Sequence, residues 1–285
     1  MATLEGKVCL VTGGTSGIGK QIAIGLGKLG GSIVLAGRDR SKCEAVVREI
    51  ADGLDNHKAS VSYLVADLSS QSAIRNLVQE FKDMHQRLDI LVNNAGVFKA
   101  KHQLTKEGIE YTLAVNHLAP FLLTNLLLDR LKASNQSRVV TTSSIAHRGA
   151  RIDFDDLQSR HRRYSGIRAY GQSKLANILF TKELARRFEG SGATANCFHP
   201  GGVRTSLARD NPWYYRLAWY VATIFLTSSE KGADTGIYLA SSPDLNGVTG
   251  KYFVKRRETT PSLAARNQEA ATRLWDASEK LTGMK

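Results

Sequence analysis

The segment TGGTSGIG, residues Thr12–Gly19, connects a β-branched run to an amphipathic one. Lys7–Val11 (KVCLV) has the composition of a buried strand, and in Gly17–Leu29 apolar residues recur with a helical period. Glycine permits positive φ and lets a phosphate approach the backbone without a Cβ in the way, and a helix N-terminus offers free N–H groups. The segment therefore predicts a phosphate-binding turn; a merely tight strand–helix turn is the alternative. Its glycines are Gly13, Gly14, Gly17 and Gly19.

The same alternation of short apolar runs and amphipathic stretches continues along the chain. Further strands are predicted at Ser32–Ala36, Val61–Val65, Leu88–Val92, Arg138–Thr142, Thr194–Phe198 and Lys251–Val254. Helices are predicted at about 41–51, at about 70–84, from near Tyr170 to about 188, and at the C-terminus, ending near Leu281. This pattern predicts the α/β class, as one doubly wound Rossmann-type domain over residues 1–285. We expect a parallel sheet of about seven strands with helices on both faces.

Composition excludes several classes of protein. The 285 residues are 42% hydrophobic, and the net charge of +13 is carried by scattered basic residues without interleaved aromatics, so we expect no nucleic-acid partner. The three cysteines, Cys9, Cys43 and Cys197, lie far apart and predict neither disulfides nor a zinc site. His147 and His199 lack partners at useful spacing, so no metal is expected. No signal peptide or transmembrane segment is predicted, and we expect a cytoplasmic protein, with peripheral membrane contact as an alternative.

The end of the second predicted strand bears on the choice between the two nicotinamide dinucleotides. An enzyme that uses NAD places an acid about 20 residues past the glycine loop, where the carboxylate accepts from the ribose hydroxyls. Here the sequence is LAGRDR, with Gly37 followed by Arg38. A guanidinium pairs with a 2′-phosphate, which a carboxylate would repel. Arg38 therefore predicts NADP(H), unless the neighbouring Asp39 turns inward.

Tyr170 and Lys174, in the stretch YGQSK, are four residues apart on a predicted helix. Reduction of a carbonyl needs a proton donor and oxidation of an alcohol needs a base, and a tyrosine serves as a base near neutral pH only if its pKa is lowered. A lysine at i+4 shares a helix face with the tyrosine and can supply the charge that lowers it. Chance placement on a surface helix is the alternative.

The spacing G-x-x-x-G-x-G in Thr12–Gly19 resembles the short-chain dehydrogenase/reductase family. The resemblance extends over about Gly6–Leu281 and is closest to the retinol dehydrogenase-like branch. It is carried by TKEGIEYTLAVNHLAPFLLTNLLLDRL, SSIAH, YGQSKLANILFTKELARR, HPGGVRT, GKYF and ARNQEAATRLW. An NADP(H)-dependent oxidoreductase is implied, acting on a lipophilic alcohol, aldehyde or ketone of retinol or retinal type. A carbonyl reductase of broad specificity and a non-catalytic NADP(H)-binding regulator are the alternatives, and a homo-oligomer is compatible with the sequence.

The resemblance also assigns site residues. The implied catalytic set is Asn116, Ser144, Tyr170 and Lys174, with Ser143 as the alternative serine. Tyr170 would exchange the proton, Ser144 would orient the carbonyl, and Lys174 would lower the Tyr170 pKa and bind the ribose. Asn116 would hold a water linked to Lys174, or only bond a local carbonyl. The cofactor set adds Gly13, Thr15, Ser16, Gly17, Ile18, Gly19, Arg38, Asp67, Leu68, Asn94, Ala95, Gly96, Pro200, Gly201, Val203 and Thr205.

Three segments of the chain have roles that the sequence leaves open or that concern the substrate. Asp67-Leu68 would lie against the adenine, or belong to a helix N-cap region. Ile152–Ser165 (IDFDDLQSRHRRYS) is an insertion expected to form one wall of the substrate cleft. Pro212–Leu226, within a predicted substrate lid at about 205–230, is too short to span a membrane. Its aromatic residues favour a lid, with membrane-surface contact or a core helix as alternatives.

Overall fold

Eight strands form one sheet within residues 3–54, 59–202 and 228–285, the parts of the chain that the computed structural model describes. The strands are β1 (Val8–Thr12), β2 (Ser32–Gly37), β3 (Val61–Val65), β4 (Ile90–Asn93), β5 (Arg138–Thr142), β6 (Thr194–His199), β7 (Tyr252–Val254) and β8 (Arg257–Glu258). Their order is β3-β2-β1-β4-β5-β6-β7-β8, and all neighbours are parallel except β7 and β8. The predicted doubly wound α/β class is confirmed.

Helices cover both faces of this sheet. They are α1 (Gly17–Lys28), α2 (Arg40–Asp52), α3 (Gln71–Met84), α4 (Tyr111–Leu113), α5 (Ala119–Leu126), α6 (Leu128–Lys132), α7 (Gly166–Arg187), α8 (Ser229–Ser241) and α9 (Gln268–Leu281). The core on one face joins α1, α2 and α8 to the sheet through residues such as Ile22, Ile50 and Phe198. On the other face α3, α5, α7 and α9 pack together, and Phe121 lies 4.8 Å from Trp275, ring centre to ring centre.

The strand order reverses between β1 and β4, because the chain moves outward from β1 through β2 to β3 and then returns to β4 on the other side of β1. At such a switch point the connections that leave neighbouring strands diverge, and a crevice opens at their carboxyl ends. The glycine loop after β1 and the segment after β4 border this crevice. The functional residues predicted from sequence follow these strands and their neighbours.

Three local features differ from the sequence-based expectations. The helix expected to open near Tyr170 begins at Gly166, because the Ser165 hydroxyl caps it by accepting from Arg168 N. Tyr170 therefore lies in the second turn. A short antiparallel strand, β8, follows a turn in which Lys255 and Arg256 have positive φ. Ala114–Leu118 is π-helical, which no sequence pattern predicted.

Candidate active site

The glycine loop turns sharply and then presents the start of α1. Gly13 has φ +64° and Gly17 φ +55°, values at which a side chain would be strained. Ser16 is the N-cap of α1, but its side chain makes no capping hydrogen bond to the helix. The N–H groups of the first turn are therefore left for another acceptor, which makes the turn suited to an anion.

Asn94 and Thr12 join the ends of β4 and β1 at the switch point. Asn94 Nδ2 donates to Thr12 O at 3.0 Å, and the Thr12 hydroxyl accepts from Asn94 N at 3.0 Å and from Ala95 N at 3.1 Å. A Cβ on Gly19 would come within 2.3 Å of Asn94 Nδ2, so this helical position needs glycine for α1 to approach β4. These contacts fix the floor of the crevice.

Arg38 is exposed and directly follows β2. The neighbouring Asp39 does not turn inward: it caps α2, where its carboxylate accepts from Lys42 N at 3.1 Å and pairs with Lys42 Nζ at 2.6 Å. These contacts with Lys42 lower the pKa of Asp39. A Cβ on Gly37 would meet Thr15 Cγ2 at 2.8 Å, so the end of β2 packs against the glycine loop. Arg38 therefore lies beside the glycine loop, and the carboxylate of the adjacent Asp39 is bound by Lys42.

Asp67 and Leu68 lie in the turn between β3 and α3. Asp67 Oδ1 accepts from Ser69 N at 2.9 Å, and Asp67 is exposed. The N-cap of α3 is Ser70, whose hydroxyl accepts from Ala73 N at 3.4 Å. Asp67 itself therefore does not cap the helix; it shapes the turn that precedes the cap.

Ser143 and Ser144 follow β5 but have different surroundings. The Ser143 hydroxyl is buried and donates to Lys174 O at 2.7 Å. The Ser144 side chain lies close enough to the Tyr170 hydroxyl to lower its pKa, and its Oγ accepts from Ala146 N at 3.2 Å. Of the two serines, Ser144 is thus the one that faces Tyr170.

Tyr170 is half-buried, and the Phe98 ring meets it edge-on with ring centres 6.0 Å apart. Burial raises the pKa of the Tyr170 hydroxyl to about 12, although the neighbouring Ser144 side chain opposes the rise. This differs from the lowered pKa expected from sequence, because desolvation of the phenolate dominates. At neutral pH the hydroxyl holds its proton, which suits a proton donor.

Lys174 lies beneath Tyr170, one helical turn further along α7. It is buried, and its Nζ lies 5.5 Å from the centre of the Tyr170 ring and donates to Thr142 O at 3.2 Å. Burial lowers the pKa of this ammonium to about 8. A Cβ on Gly96 would stand 3.5 Å from Nζ, which places the segment after β4 against the lysine.

Asn116 is fully buried in the π-helical segment. Its Oδ1 accepts from Val97 N at 2.7 Å, and its Nδ2 donates to Val97 O at 2.9 Å and to Ser173 Oγ at 3.0 Å. Asn116 therefore bonds a carbonyl, that of Val97, which lies nearby in space although 19 residues away in the sequence. Through these bonds Asn116 ties the segment after β4 to α7.

His147 has an ordinary structural environment. Its Nδ1 donates to Ser144 O at 2.7 Å, and its Nε2 accepts from Ser262 N at 3.2 Å. Burial lowers its pKa, so the ring is neutral at pH 7. Burial also lowers the pKa of His199, to about 4. Across residues 3–54, 59–202 and 228–285, no group of three or more His, Cys, Asp or Glu side chains could hold a metal ion.

The segment that follows β6 is only partly described. Pro200 comes directly after β6, and Gly201 has φ +86°. Val203, Thr205, Pro212–Leu226 and the lid predicted at about 205–230 lie outside the described residues, apart from the last few positions of that lid. The insertion Ile152–Ser165 lines a cavity of about 380 Å³, together with the start of α7.

Residues 7–213, most of the chain, match the sequence model of short chain dehydrogenases. This chain belongs to the short-chain dehydrogenase family. The family uses nicotinamide cofactors.

Relatives of this dehydrogenase include human Retinol dehydrogenase 13, which is 44% identical over 99% of this chain and 86% of its own length. Human Retinol dehydrogenase 12 is 43% identical over 99% of this chain and 88% of its own length. These similarities support the retinol dehydrogenase-like branch that the sequence resembles.

Solved structures share the fold over nearly the whole length. A putative uncharacterized protein from Mycobacterium Paratuberculosis has a TM-score of 0.79 and 35% identity, and the alignment covers 99% of this chain and 96% of that one. The RhlG/NADP active-site complex of Pseudomonas aeruginosa has a TM-score of 0.69 and 28% identity, covering 88% of this chain and 95% of that one.

The crevice of this dehydrogenase fits a dinucleotide. The first turn of α1 offers donors to a phosphate, Arg38 stands beside the loop, and the Lys174 ammonium, at the other end, makes one hydrogen bond to a described residue, Thr142. An ammonium can donate three hydrogen bonds, so Lys174 has capacity for further acceptors.

Sequence reasoning singled out neither Thr12 nor Asn177 for a role at the site. Thr12 ends β1, and its hydroxyl holds Asn94 and Ala95 as described above. Asn177 Nδ2 donates at 3.1 Å to Thr142 O, the acceptor that Lys174 also uses. A signal was available for Asn177, because it lies three residues after Lys174 in an otherwise apolar part of α7.

Among the described helices, none is long and apolar enough to cross a membrane.

Proposed function

We propose that this dehydrogenase transfers hydride between NADP(H) and a lipophilic alcohol, aldehyde or ketone, with retinal and retinol as representatives of the substrate class. The observation that carries the proposal is the buried Lys174 ammonium 5.5 Å from the centre of the Tyr170 ring, with the Ser144 side chain next to the Tyr170 hydroxyl. The substrate class is supported by the similarity to retinol dehydrogenases over 99% of the chain.

In the direction of reduction, Tyr170 is the proton donor. Since burial raises the pKa of Tyr170 to about 12, the phenol holds a proton near neutral pH that it can give to the oxygen of the substrate. The reduced nicotinamide supplies the hydride when it is bound. Ser144 orients the carbonyl oxygen through its hydroxyl, which also contacts Tyr170. Lys174 contributes a positive charge that stabilises the phenolate left after proton transfer.

Three parts of the chain would hold the cofactor. The first turn of α1 and the glycine loop would bind the pyrophosphate, and Asn94–Gly96 would form the floor beneath the nicotinamide half. Arg38 would pair with the 2′-phosphate, and this role is the basis for proposing NADP(H) over NAD(H). The remaining roles proposed from the family are those of Asp67 and Leu68 at the adenine and of Pro200, Gly201, Val203 and Thr205 at the nicotinamide.

The experiment is a screen of NADPH consumption with aldehydes and ketones of graded chain length, including retinal, on the wild type and Tyr170→Phe. We expect turnover that increases with the apolar length of the substrate, and its loss in Tyr170→Phe. Binding of NADPH, measured by calorimetry, should persist in the variant. Tyr238→Phe, the same chemical change on α8, is the matched control and should retain activity. Turnover near that of the wild type in Tyr170→Phe would refute the proposed mechanism.

A further inference from the structure

Three buried polar side chains link the proposed site to the C-terminal helix α9. They are His117 in the π-helical segment, Asn177 on α7 and Ser278 on α9, each 1–2% exposed. Buried polar side chains are stable only when their hydrogen-bonding groups are satisfied. The pattern of bonds among them therefore restricts how each can be oriented.

The link begins at Thr142 O, the carbonyl that ends β5. It accepts from Lys174 Nζ at 3.2 Å and from Asn177 Nδ2 at 3.1 Å. At the far end, His117 Nε2 lies 2.9 Å from Ser278 Oγ. The ring of His117 is confined edge-on against Phe180, with centres 6.2 Å apart.

The π-helical turn makes this arrangement possible. Asn116 and His117 are consecutive, yet both side chains are buried and bonded in different directions. Asn116 bonds Val97 and Ser173, on the side of the proposed site, whereas His117 bonds Ser278 of α9. A single wide turn thus joins the proposed site to the C-terminal helix.

Two buried atoms in this link have no hydrogen bond to a described residue, His117 Nδ1 and Asn177 Oδ1. Burial lowers the pKa of His117 to about 4, while the neighbouring Asn177 side chain acts in the opposite direction. At pH 7 the ring is therefore neutral and carries one N–H. If that hydrogen is on Nδ1, both unsatisfied atoms gain a partner, and the Ser278 hydroxyl can donate to Nε2.

We propose that His117 is a positioning residue, whose Nδ1–H donates to Asn177 Oδ1 and thereby holds Asn177 Nδ2 and Lys174 Nζ together on Thr142 O. The inference rests on the function proposed above. An amide held at its oxygen cannot rotate, so Asn177 keeps its share of the Thr142 carbonyl. Without that restraint Asn177 turns, and Lys174 moves relative to Tyr170.

Two substitutions of His117 test the roles of its two ring nitrogens separately. His117→Asn places a donor near the position of Nδ1, and His117→Gln places one near Nε2. We expect His117→Asn to keep kcat within about threefold of the wild type and His117→Gln to lose about tenfold, because a small displacement of a catalytic group is costly. The dissociation constant of NADPH should stay within about twofold in both. His85→Asn and His85→Gln, at the end of α3, are the controls and should behave alike.

A merely structural role predicts a different result. Both variants would then lose thermal stability but keep the same kcat per folded molecule, and that outcome would overturn the proposal. A larger loss in His117→Asn than in His117→Gln would also overturn it, since it would assign the important bond to Nε2 and Ser278.

An NMR measurement tests the hydrogen bond without relying on turnover. In protein labelled with ¹⁵N-histidine, the ring signals that disappear in His117→Asn belong to His117, and their shifts show which nitrogen carries the hydrogen. We expect Nδ1–H. Finding the hydrogen on Nε2 would refute the proposed bond. An inactive wild type with Nδ1–H would instead refute the proposed function and leave the bond to Asn177 supported.

Discussion

The Ser143 hydroxyl donates to the main-chain carbonyl of Lys174 at 2.7 Å, which ties the end of β5 to the middle of α7. The side chain of Ser144, the next residue, lies next to the Tyr170 hydroxyl and lowers its pKa. Adjacent residues in extended chain point in opposite directions, so one serine fastens the helix while the other faces the proposed reaction. The two adjacent serines are therefore expected to differ in function.

Substituting the two serines should separate stability from catalysis. Ser144→Ala removes the hydroxyl next to Tyr170, and we expect kcat to fall about 100-fold with only a small drop in melting temperature from loss of the bond to Ala146 N. Ser143→Ala should reduce the free energy of unfolding by about 1 kcal/mol, because a buried hydrogen bond is lost, while kcat per folded molecule stays within a few-fold. Thermal melts and steady-state kinetics on both variants measure this. The reverse pattern would identify Ser143 as the catalytic serine.

The sequence was a good guide to the fold because its signals are local. Glycines at Gly13 and Gly17 mark the turn after β1, and the apolar periods of α1 and α3 are regular, so strand and helix order could be predicted. The predicted start of α7 was wrong. Its N-cap, Ser165, lies within a polar insertion that has no apolar periodicity. The π-helical turn at Ala114–Leu118 has no sequence signature; within it, Asn116 and His117 are both buried and bond in different directions.

The structure brings the predicted residues Tyr170, Lys174 and Ser144 together, but their electrostatics could not be predicted from the sequence. Spacing alone places Tyr170 and Lys174 on one helix face, but the degree of burial comes from distant segments such as Phe98 and Gly96. That burial raises the pKa of Tyr170 to about 12, whereas the sequence led us to expect a lowered value. Likewise, only the structure shows that Asp39 is engaged by Lys42.

Arg38 should determine the preference between the two dinucleotides. In Arg38→Ala we expect KM for NADPH to rise roughly 30- to 100-fold, since a charge-assisted pair with the 2′-phosphate contributes roughly 2–3 kcal/mol. KM for NADH should change little. Arg48→Ala, an exposed arginine on α2, is the control for general loss of positive charge. Equal increases in KM for both cofactors would rule out recognition of the 2′-phosphate by Arg38.

Burial of the Lys174 ammonium should lower the free energy of unfolding of the protein without bound cofactor. Its pKa is about 8 in the folded protein and 10.5 ordinarily, so between these values the unfolded chain binds a proton that the folded chain has lost. The free energy of unfolding therefore rises with pH across this window. Lys174→Met should be inactive but more stable than the wild type at pH 7, by on the order of 3 kcal/mol at most. The difference should shrink as the pH approaches 10.5. Denaturant melts from pH 7 to 10 measure it, and a less stable variant at pH 7 would contradict the argument.

Asp89 should account for much of the decrease in the free energy of unfolding at acid pH. Its buried carboxylate accepts from Val8 N at 2.9 Å, Ser134 Oγ at 2.8 Å and Lys7 Nζ at 3.0 Å. Burial opposes ionisation, but these bonds outweigh it and lower the pKa of Asp89. A lowered pKa stabilises the fold above the ordinary value of 3.8, and the contribution is lost as the pH falls through the folded pKa. We expect Asp89→Asn to lose about 3 kcal/mol at pH 7, with the difference disappearing in acid. Urea melts over a range of pH measure this difference. Asp83→Asn, which removes an exposed carboxylate on α3, is the control. Equal losses of stability in the two variants would show that the buried contacts of Asp89 do not stabilise the fold.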